Sequence, residues 1–264
     1  MPFQAIEPRR LYRQIADQLR ALIERGEFPV GTRLPPERDL ALKMGVSRPS
    51  VREALIALEV EGLVEVRMGS GIYVRPRGDG AQGGSVIAES PLDTILARQL
   101  IEGELAAQAA LAMKGADIDG LRAALDVMRQ EAASGNIPAR GDRLFHVRIA
   151  EAAENSVLLR LVGELYDERH NPLAVQLGSH FENAESWAEA IAEHERVVDA
   201  IQAGDAAAAR AAMRDHMARS HDRFTAHWSP ADAVMPGRRG SVSRATGRAA
   251  ADRTTRRALT GRTT

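Results

Sequence analysis

Residues 34–63 constrain the fold more than any other part of the chain, because they combine the signals of two short helices and a tight turn. Pro36 fits the first turn of a helix, where its missing backbone N–H is not needed. Gly45 is suited to end that helix, and Ser47 is a good N-cap for a second helix that runs to about Glu61. This pattern predicts a helix-turn-helix.

The second helix of this motif is predicted to carry the residues that touch nucleic acid. Arg48 and Arg52 are four residues apart near its N-terminus, so they share one helical face. In a helix-turn-helix, the first residues of the second helix meet base edges in the major groove, and arginine pairs best with guanine. We expect Arg48 and Arg52 to read bases. Arg38 can contact a phosphate or a base, and Ser47 and Ser50 offer hydroxyls to phosphates.

A predicted hairpin follows the second helix. Residues 63–67 and 72–75 alternate like two short strands around Met68-Gly69-Ser70-Gly71. A glycine-bearing hairpin in this position is a wing, and Gly69 lets it approach the phosphate backbone closely. Upstream, residues 11–25 have apolar side chains at helical spacing and predict a further helix.

As a whole, residues 8–76, called the head below, resemble the winged helix-turn-helix domain of GntR-type transcription regulators. The shared motifs are Tyr12-x-x-Ile15, Gly31-x-x-Leu34-Pro35-x-Glu37-Arg38-x-Leu40-Ala41, Gly45-Val46-Ser47-Arg48-x-x-Val51-Arg52-Glu53-Ala54-Leu55 and Glu61-Gly62-Leu63. The resemblance implies DNA contacts at Arg38, Ser47, Arg48, Ser50, Arg52 and Gly69. Pro49 departs from the small polar residue that is frequent at its position. Because one such motif reads one half-site, specific binding implies a homodimer on a short palindrome of double-stranded DNA.

The distribution of charge limits where nucleic acid can bind. Residues 1–76 have a net charge of +2, residues 82–232 of −10 and residues 233–264 of +7. An acidic body disfavours polyanions, so DNA contacts are expected mainly at the head. Cysteine is absent, and no apolar stretch reaches the roughly 20 residues of a membrane span. We therefore expect a cytoplasmic protein that does not contact membranes.

The rest of the chain is predicted to be helical. Residues 77–90 have the composition of a flexible linker, and residues 229–264 that of a disordered basic tail. Residues 91–228, called the bundle below, are rich in alanine and leucine at helical spacing. Six helices are predicted, at residues 91–114, 117–134, 138–153, 156–176, 184–203 and 205–227. The fold class is therefore mainly α, with an N-terminal winged helix-turn-helix and a C-terminal all-α helical bundle.

Four bundle residues have the spacing of a metal site. Asp142 and His146 lie four residues apart on one helical face. His194 and His216 each stand about 15 Å from the predicted turn at Gly204, so they lie level across a helical hairpin. Three imidazoles and one carboxylate suit zinc foremost, with nickel, manganese or iron(II) as alternatives. Taken singly, each of these histidines could equally be an ordinary polar side chain, and the hairpin argument assumes the helix boundaries.

The remaining histidines offer weaker candidates. His221 is an alternative ligand, although its position five residues after His216 places it well round the helix. His170, His180 and His227 have no partner at helical spacing, so we expect them at the surface.

The bundle is similar to the C-terminal FCD ligand domain of the FadR branch of GntR regulators. The shared motifs are Arg98-x-x-x-Glu102-x-x-x-Ala106-x-x-x-Ala110, Asp142-x-x-Phe145-His146-x-x-Ile149, Glu193-His194 and Ala211-x-Met213-x-x-His216. In metal-binding members the ligands are one aspartate and three histidines, which the resemblance places at Asp142, His146, His194 and His216. It also implies a small organic-acid or sugar-acid effector and a dimer formed largely through this domain.

Arg98 is the predicted effector-binding residue. A guanidinium on the inward face of the first bundle helix can clamp a carboxylate with two hydrogen bonds. The alternative is that Arg98 pairs with Glu102 on a solvated face. Tyr166 and Trp187 could line the same cavity or be core aromatics.

These observations favour a DNA-binding transcription regulator, a repressor whose operator affinity is coupled to a carboxylate bound at the metal. A metal-dependent helical-bundle enzyme is the main alternative, disfavoured because the bundle has neither a Glu-x-x-His nor a His-Glu-x-x-His motif. An effector-independent, architectural DNA-binding protein is the third, and the acidic bundle disfavours it.

Overall fold

A computed structural model describes residues 10–76 and 88–226 of the chain. The head consists of α1 (Leu11–Glu24), α2 (Glu37–Met44), α3 (Arg48–Val60), β1 (Val64–Arg67) and β2 (Gly71–Val74). The bundle consists of α4 (Pro91–Ala112), α5 (Gly115–Ala133), α6 (Ala139–Glu151), α7 (Ser156–Asp167), α8 (Pro172–Phe181), α9 (Ala184–Gln202) and α10 (Ala206–Thr225). The predicted fold class, a winged helix-turn-helix followed by an all-α bundle, is confirmed.

The head forms because local signals agree with its packing. Gly45 has a φ of 66°, a left-handed conformation that ends α2 at little cost for glycine. The Ser47 hydroxyl accepts a hydrogen bond of 3.2 Å from the Ser50 backbone N–H and caps α3. The strands pair antiparallel with Val64 opposite Val74, so the wing turns at residues 68–70.

The prediction of a single helix at residues 156–176 is wrong. In the structure α7 ends at Asp167, a short 3-10 turn follows, and α8 begins at Pro172. Pro172 has no backbone N–H to continue a helix, and the Asn171 side chain accepts a hydrogen bond of 2.8 Å from Ala174 N. The described bundle therefore has seven helices where the sequence predicted six.

Two apolar clusters form the core. One lies inside the bundle and includes Leu121, Met128 and Phe145. The other fills the head but also takes in Leu173 and Leu177 of α8. The head and the bundle therefore pack against each other within one compact unit. Their separation into two domains stays a prediction, and the predicted tail lies outside the described residues.

This packing encloses α3 on both sides. Its residues 51–58 are all buried, with α1 against one face and α8 against the other. Ile56 is fully buried in the apolar cluster that joins the head to α8. Partial exposure remains at the two ends of α3, at residues 48–50 and 59–60, and the N-cap Ser47 is exposed.

Candidate functional site

The four predicted metal ligands meet in the middle of the bundle. Asp142 and His146 project from α6, His194 from α9 and His216 from α10. One ligand atom from each lies within 4.8 Å of the others, and all four residues are buried. The spacing in sequence therefore predicted a real juxtaposition.

Each histidine is oriented by a second contact on its other ring nitrogen. His194 Nδ1 lies 2.7 Å from the Ala190 carbonyl oxygen, and His216 Nδ1 lies 2.9 Å from a Glu193 oxygen. His146 Nδ1 pairs with Glu102. Such outer partners fix the ring and leave the opposite nitrogen to face the centre of the cluster, as in known metal sites.

The protonation states of Asp142 and of two histidines suit a cation. Burial opposes the charge on Asp142, but hydrogen bonds with His146 and His194 hold its pKa well below the ordinary value. Burial lowers the pKa of His194 and, helped by the neighbouring histidines, lowers that of His216 well below its usual value. An ionised carboxylate and neutral imidazoles are the forms that bind metal, so the donor set fits a divalent transition metal.

His146 differs from the other two histidines. Burial lowers its pKa, but the charge of Glu102 together with the contacts to Asp142 and Glu102 raises the pKa overall. A metal would have to bind His146 as a neutral imidazole.

The remaining oxygen of Asp142 is also held in place. Tyr166 donates a hydrogen bond of 2.7 Å to Asp142 Oδ2, and Arg169 approaches the same oxygen at 3.4 Å.

Close packing of α6 on α5 sets the position of the Asp142 carboxylate. A Cβ on Gly141 would lie 2.6 Å from the Met128 backbone nitrogen, so only glycine permits that approach.

One small cavity adjoins the cluster, and a larger cavity shares part of its lining. The smaller, about 40 Å³, is lined by Asp142 and His216 and has room for little more than a water molecule. The larger, about 330 Å³, lies between α4, α8 and α10. Arg98 and Arg169 line both cavities, so they stand between the cluster and the larger space.

Arg98 agrees in part with each of the two interpretations of the sequence, effector binding and pairing with Glu102. Its Nε donates a hydrogen bond of 2.6 Å to Glu102, as the alternative reading expected. The pair is buried, however, so the expectation that it lies on a solvated face is wrong. Its Nη2 is buried without a hydrogen-bond partner, and the guanidinium lies 5.0 Å from the Tyr166 ring centre. A buried, unpaired donor is costly, and an anionic ligand would satisfy it.

Most of the predicted DNA contacts lie at the surface of the head. Arg38, Ser47 and Gly69 are exposed, and Arg48 keeps 28% of its side chain accessible. Gly69 has a φ of 73° at the tip of the wing. Ser50 is half-buried beside the Ser47 hydroxyl.

Arg52 needs a correction. The sequence predicted that it reads bases from the same helical face as Arg48, but the structure leaves it 1% exposed. Both prongs of its guanidinium pair with Glu37, at 2.7 and 2.8 Å, and its third nitrogen donates to the Phe224 carbonyl oxygen. In this arrangement Arg52 cannot reach a base. The physical reason is that α8 packs against α3 and the last turn of α10 ends against the Arg52 guanidinium.

Comparison with known proteins agrees with both parts of the fold. Residues 11–74 match the model of the bacterial regulatory proteins of the gntR family, and residues 93–219 match that of the FCD domain. The chain is 38% identical over 221 residues to the Uxu operon transcriptional regulator of Escherichia coli strain K12, covering 81% of this chain and 86% of that protein. The chain belongs to the GntR family.

Other relatives agree with this assignment. The HTH-type transcriptional regulator LutR of Bacillus subtilis strain 168 is 30% identical over 217 residues, covering 78% of this chain and 98% of LutR. Among solved structures, the chain is similar to Streptococcus agalactiae GntR, at 25% identity over 81% of this chain and 100% of that one, with a TM-score of 0.44 that carries no weight in the assignment. This GntR-family chain is a DNA-binding transcription regulator with an FCD effector domain, and it is not an enzyme.

The other histidines of this GntR regulator divide differently from expectation. His180 is not a surface residue, because it is largely buried and its Nε2 lies 2.6 Å from Glu59 of the head. His221 stays outside the metal cluster, and His170 is exposed. His227 lies outside the described residues.

Within residues 10–76 and 88–226, none of the helices has the length and apolar character that a membrane span requires.

Sequence reasoning missed several residues of the site. Glu102 and Glu193 orient two of the histidines, and Arg169 and Glu182 form a half-buried ion pair of 2.8 Å at the cavity. Glu193 directly precedes His194, which was a usable signal. Glu182 and Arg169 lie 13 residues apart on either side of α8, and no spacing rule connects them.

Proposed function

We propose that the chain is a repressor that binds a short palindromic operator as a homodimer and responds to a small carboxylate bound at a metal in the bundle. The observation that carries this proposal is the buried cluster of Asp142 and three histidines, with the unpaired Nη2 of Arg98 beside the same cavity. A cation alone would leave that donor unsatisfied. A cation with a bound carboxylate would satisfy both.

The metal would be held by Asp142, His146, His194 and His216. Zinc suits this donor set best, and nickel, manganese or iron(II) are alternatives. When bound, the cation would supply positive charge and free coordination positions for an anionic ligand. The chain's own residues would do the selecting. Arg98 would hold one carboxylate oxygen, and Arg169 would add a second positive charge at the cavity wall.

The effector class follows from charge and space. Two arginines and a cation favour an acid, and the smaller cavity excludes a large one unless side chains move. The polar side chains of Glu182, Ser186 and Ser220 also line this cavity and could accept or donate hydrogen bonds to hydroxyl groups. We therefore propose an organic acid or a sugar acid.

The proposed DNA contacts are Arg38, Ser47, Arg48, Ser50 and Gly69, together with Arg52 once its covering is removed. Exposure of the wing tip and of Arg38 in α2, with partial exposure of the first turn of α3, supports the contacts other than Arg52. Regulation of transcription would place the protein with the chromosome in the cytoplasm. Dimerisation through the bundle would set the spacing of two half-sites.

Metal binding is tested by elemental analysis of purified variants. His194→Ala should lose the metal, whereas His221→Ala, a histidine of the same bundle outside the cluster, should keep wild-type stoichiometry. Equal metal content in both variants would remove His194 from the site.

Operator binding is tested by selecting duplexes from a randomised pool. The wild type should enrich one palindrome, and Arg48→Ala should lose that enrichment while retaining its metal. If random-sequence duplexes compete as well as the enriched one, specific DNA recognition is disproved.

The effector is tested by a thermal-shift screen of organic and sugar acids on the zinc-loaded protein, because a ligand that binds the native state raises its melting temperature. Arg98→Met should abolish the shift produced by the best acid without removing the metal. A full shift in this variant would exclude Arg98 from effector binding.

A further inference from the structure

The base-reading helix is held by the bundle at its middle and at its end. Arg52 is fixed between Glu37 and the backbone carbonyl of Phe224, the latter at 2.7 Å, and it lies 5.4 Å from the centre of the Phe181 ring. Phe224 belongs to the last turn of α10, and Phe181 is the last residue of α8. Two separate bundle helices therefore end against a single side chain of the head.

Two further polar contacts join α3 to the rest of the chain. Near its C-terminus, Glu59 pairs with His180 of α8 at 2.6 Å. In its middle, Glu53 accepts hydrogen bonds from the Ser90 hydroxyl at 2.5 Å and from Leu92 N at 3.3 Å, at the start of α4. Together with the burial of Ile56, these contacts fix α3 along its whole inner length.

The arrangement is incompatible with a base contact by Arg52. A recognition helix in the major groove presents one face to the bases over its first two turns. Here Arg52, in the second turn, and Ile56, one turn later, are both buried; α8 packs against α3, and the last turn of α10 meets the Arg52 guanidinium. An arginine that is 1% exposed and paired on all three nitrogens cannot make the two-pronged contact with guanine.

We propose that this contact is an autoinhibitory lock, in which the ends of α8 and α10 keep Arg52 from DNA and must separate from α3 before the operator is bound specifically. The inference rests on the proposed function, since it concerns how operator binding is regulated. Only a head that has separated from α8 and α10, an undocked head, would bind the operator tightly. The measured operator affinity would therefore equal the affinity of an undocked head multiplied by the fraction of heads that are undocked.

The lock lies next to the effector cavity. Phe181 and Phe224 pack edge to face, with ring centres 6.3 Å apart, and both line the smaller cavity beside the metal cluster. The residue after Phe181 is Glu182, whose carboxylate pairs with Arg169 at 2.8 Å. A shift of the side chains that line the smaller cavity can therefore be transmitted to Arg52 through Phe181 and Phe224, which contact both.

Chemical cross-linking tests the lock directly, because the chain contains no cysteine. The double variant Glu59→Cys with His180→Cys is joined by a short bismaleimide whose spacer contains a disulfide. The cross-linked protein should bind the operator, selected beforehand with the wild type, at least about tenfold more weakly than the unlinked variant. Cutting the spacer with a reductant should restore the affinity.

The matched control joins Glu104→Cys to Arg210→Cys. This is also an ion pair between two helices, at 2.9 Å, but both partners belong to the bundle and are exposed. Its cross-link should leave operator affinity unchanged. Unchanged affinity after cross-linking residues 59 and 180 would overturn the lock. Failure of the wild type to enrich any duplex would instead disprove the proposed function, so the two failures are distinguishable.

A second measurement needs one substitution and no cross-link. In Glu59→Cys alone, the thiol lies at the covered end of α3 and should react slowly with a small maleimide. The operator duplex should speed the labelling at least about threefold by selecting undocked heads, whereas a duplex of random sequence should not. Equal labelling rates with both duplexes would contradict the lock.

Discussion

Glu53 offers the sharpest test of how the head is held, because its carboxylate is buried where α3 meets the start of α4. Burial raises its pKa to about 7, although hydrogen bonds from Ser90 and Leu92 and the charge of Arg10 act to lower it. Asp93 raises it further. The variant Glu53→Gln keeps an oxygen that can accept both hydrogen bonds but carries no charge.

The sign follows from proton binding. Because the native pKa of Glu53 lies above its ordinary value of 4.5, the native state binds this proton more tightly than the unfolded state. Wild-type stability is therefore lost as the pH rises from about 4.5 to about 7, and the full cost remains above that range. The cost at neutral pH is at most about 3 kcal/mol, since each pKa unit corresponds to about 1.4 kcal/mol. Water that enters around the ionised carboxylate would reduce this value.

The assay is urea unfolding of wild type and variant at several pH values between about 4.5 and 8. Glu53→Gln should match the wild type at the acid end and be more stable by up to about 3 kcal/mol at pH 7.5. The control is Glu104→Gln, an exposed residue whose pKa is lowered by a hydrogen bond from Arg210, so its difference should not grow with pH in the same direction. A Glu53→Gln difference that is independent of pH would refute the reasoning.

Three further predictions concern packing and the metal. Glu37→Gln should lower the free energy of unfolding by about 3 kcal/mol, because it leaves the buried Arg52 without a charged partner. In urea unfolding, a loss below about 1 kcal/mol would show that the pair is not buried as described. Gly141→Ala should lower the free energy of unfolding by about 1–3 kcal/mol, because the new Cβ would collide with the Met128 backbone. The control Gly163→Ala, whose nearest neighbour is a side-chain atom at 3.9 Å, should be neutral or stabilising. Equal effects of the two substitutions would contradict the close packing of α6 on α5. Removing metal with a chelator should lower the melting temperature of the wild type but not that of His194→Ala, and a similar fall in both would place the metal elsewhere.

Local patterns carried much of this protein's structure. The helix-turn-helix follows from Pro36, Gly45 and Ser47, because turn and capping residues act on their immediate neighbours in the chain. The metal cluster follows from helical periodicity and one hairpin, since both convert sequence distance into position. The missed break at Asn171 and Pro172 was also visible in the sequence, but the apolar spacing across it resembled one continuous helix.

What the sequence by itself determined is the set of elements and the side chains that each element presents. Only the tertiary structure decided which of those side chains are covered. Arg52 meets a carbonyl 172 residues away, His180 meets Glu59 across 121 residues, and Arg98 ends with one nitrogen unpaired in a buried place. Burial depends on how whole helices pack, and that packing is set by many weak contacts between segments distant in the chain. No spacing within a single helix reports it.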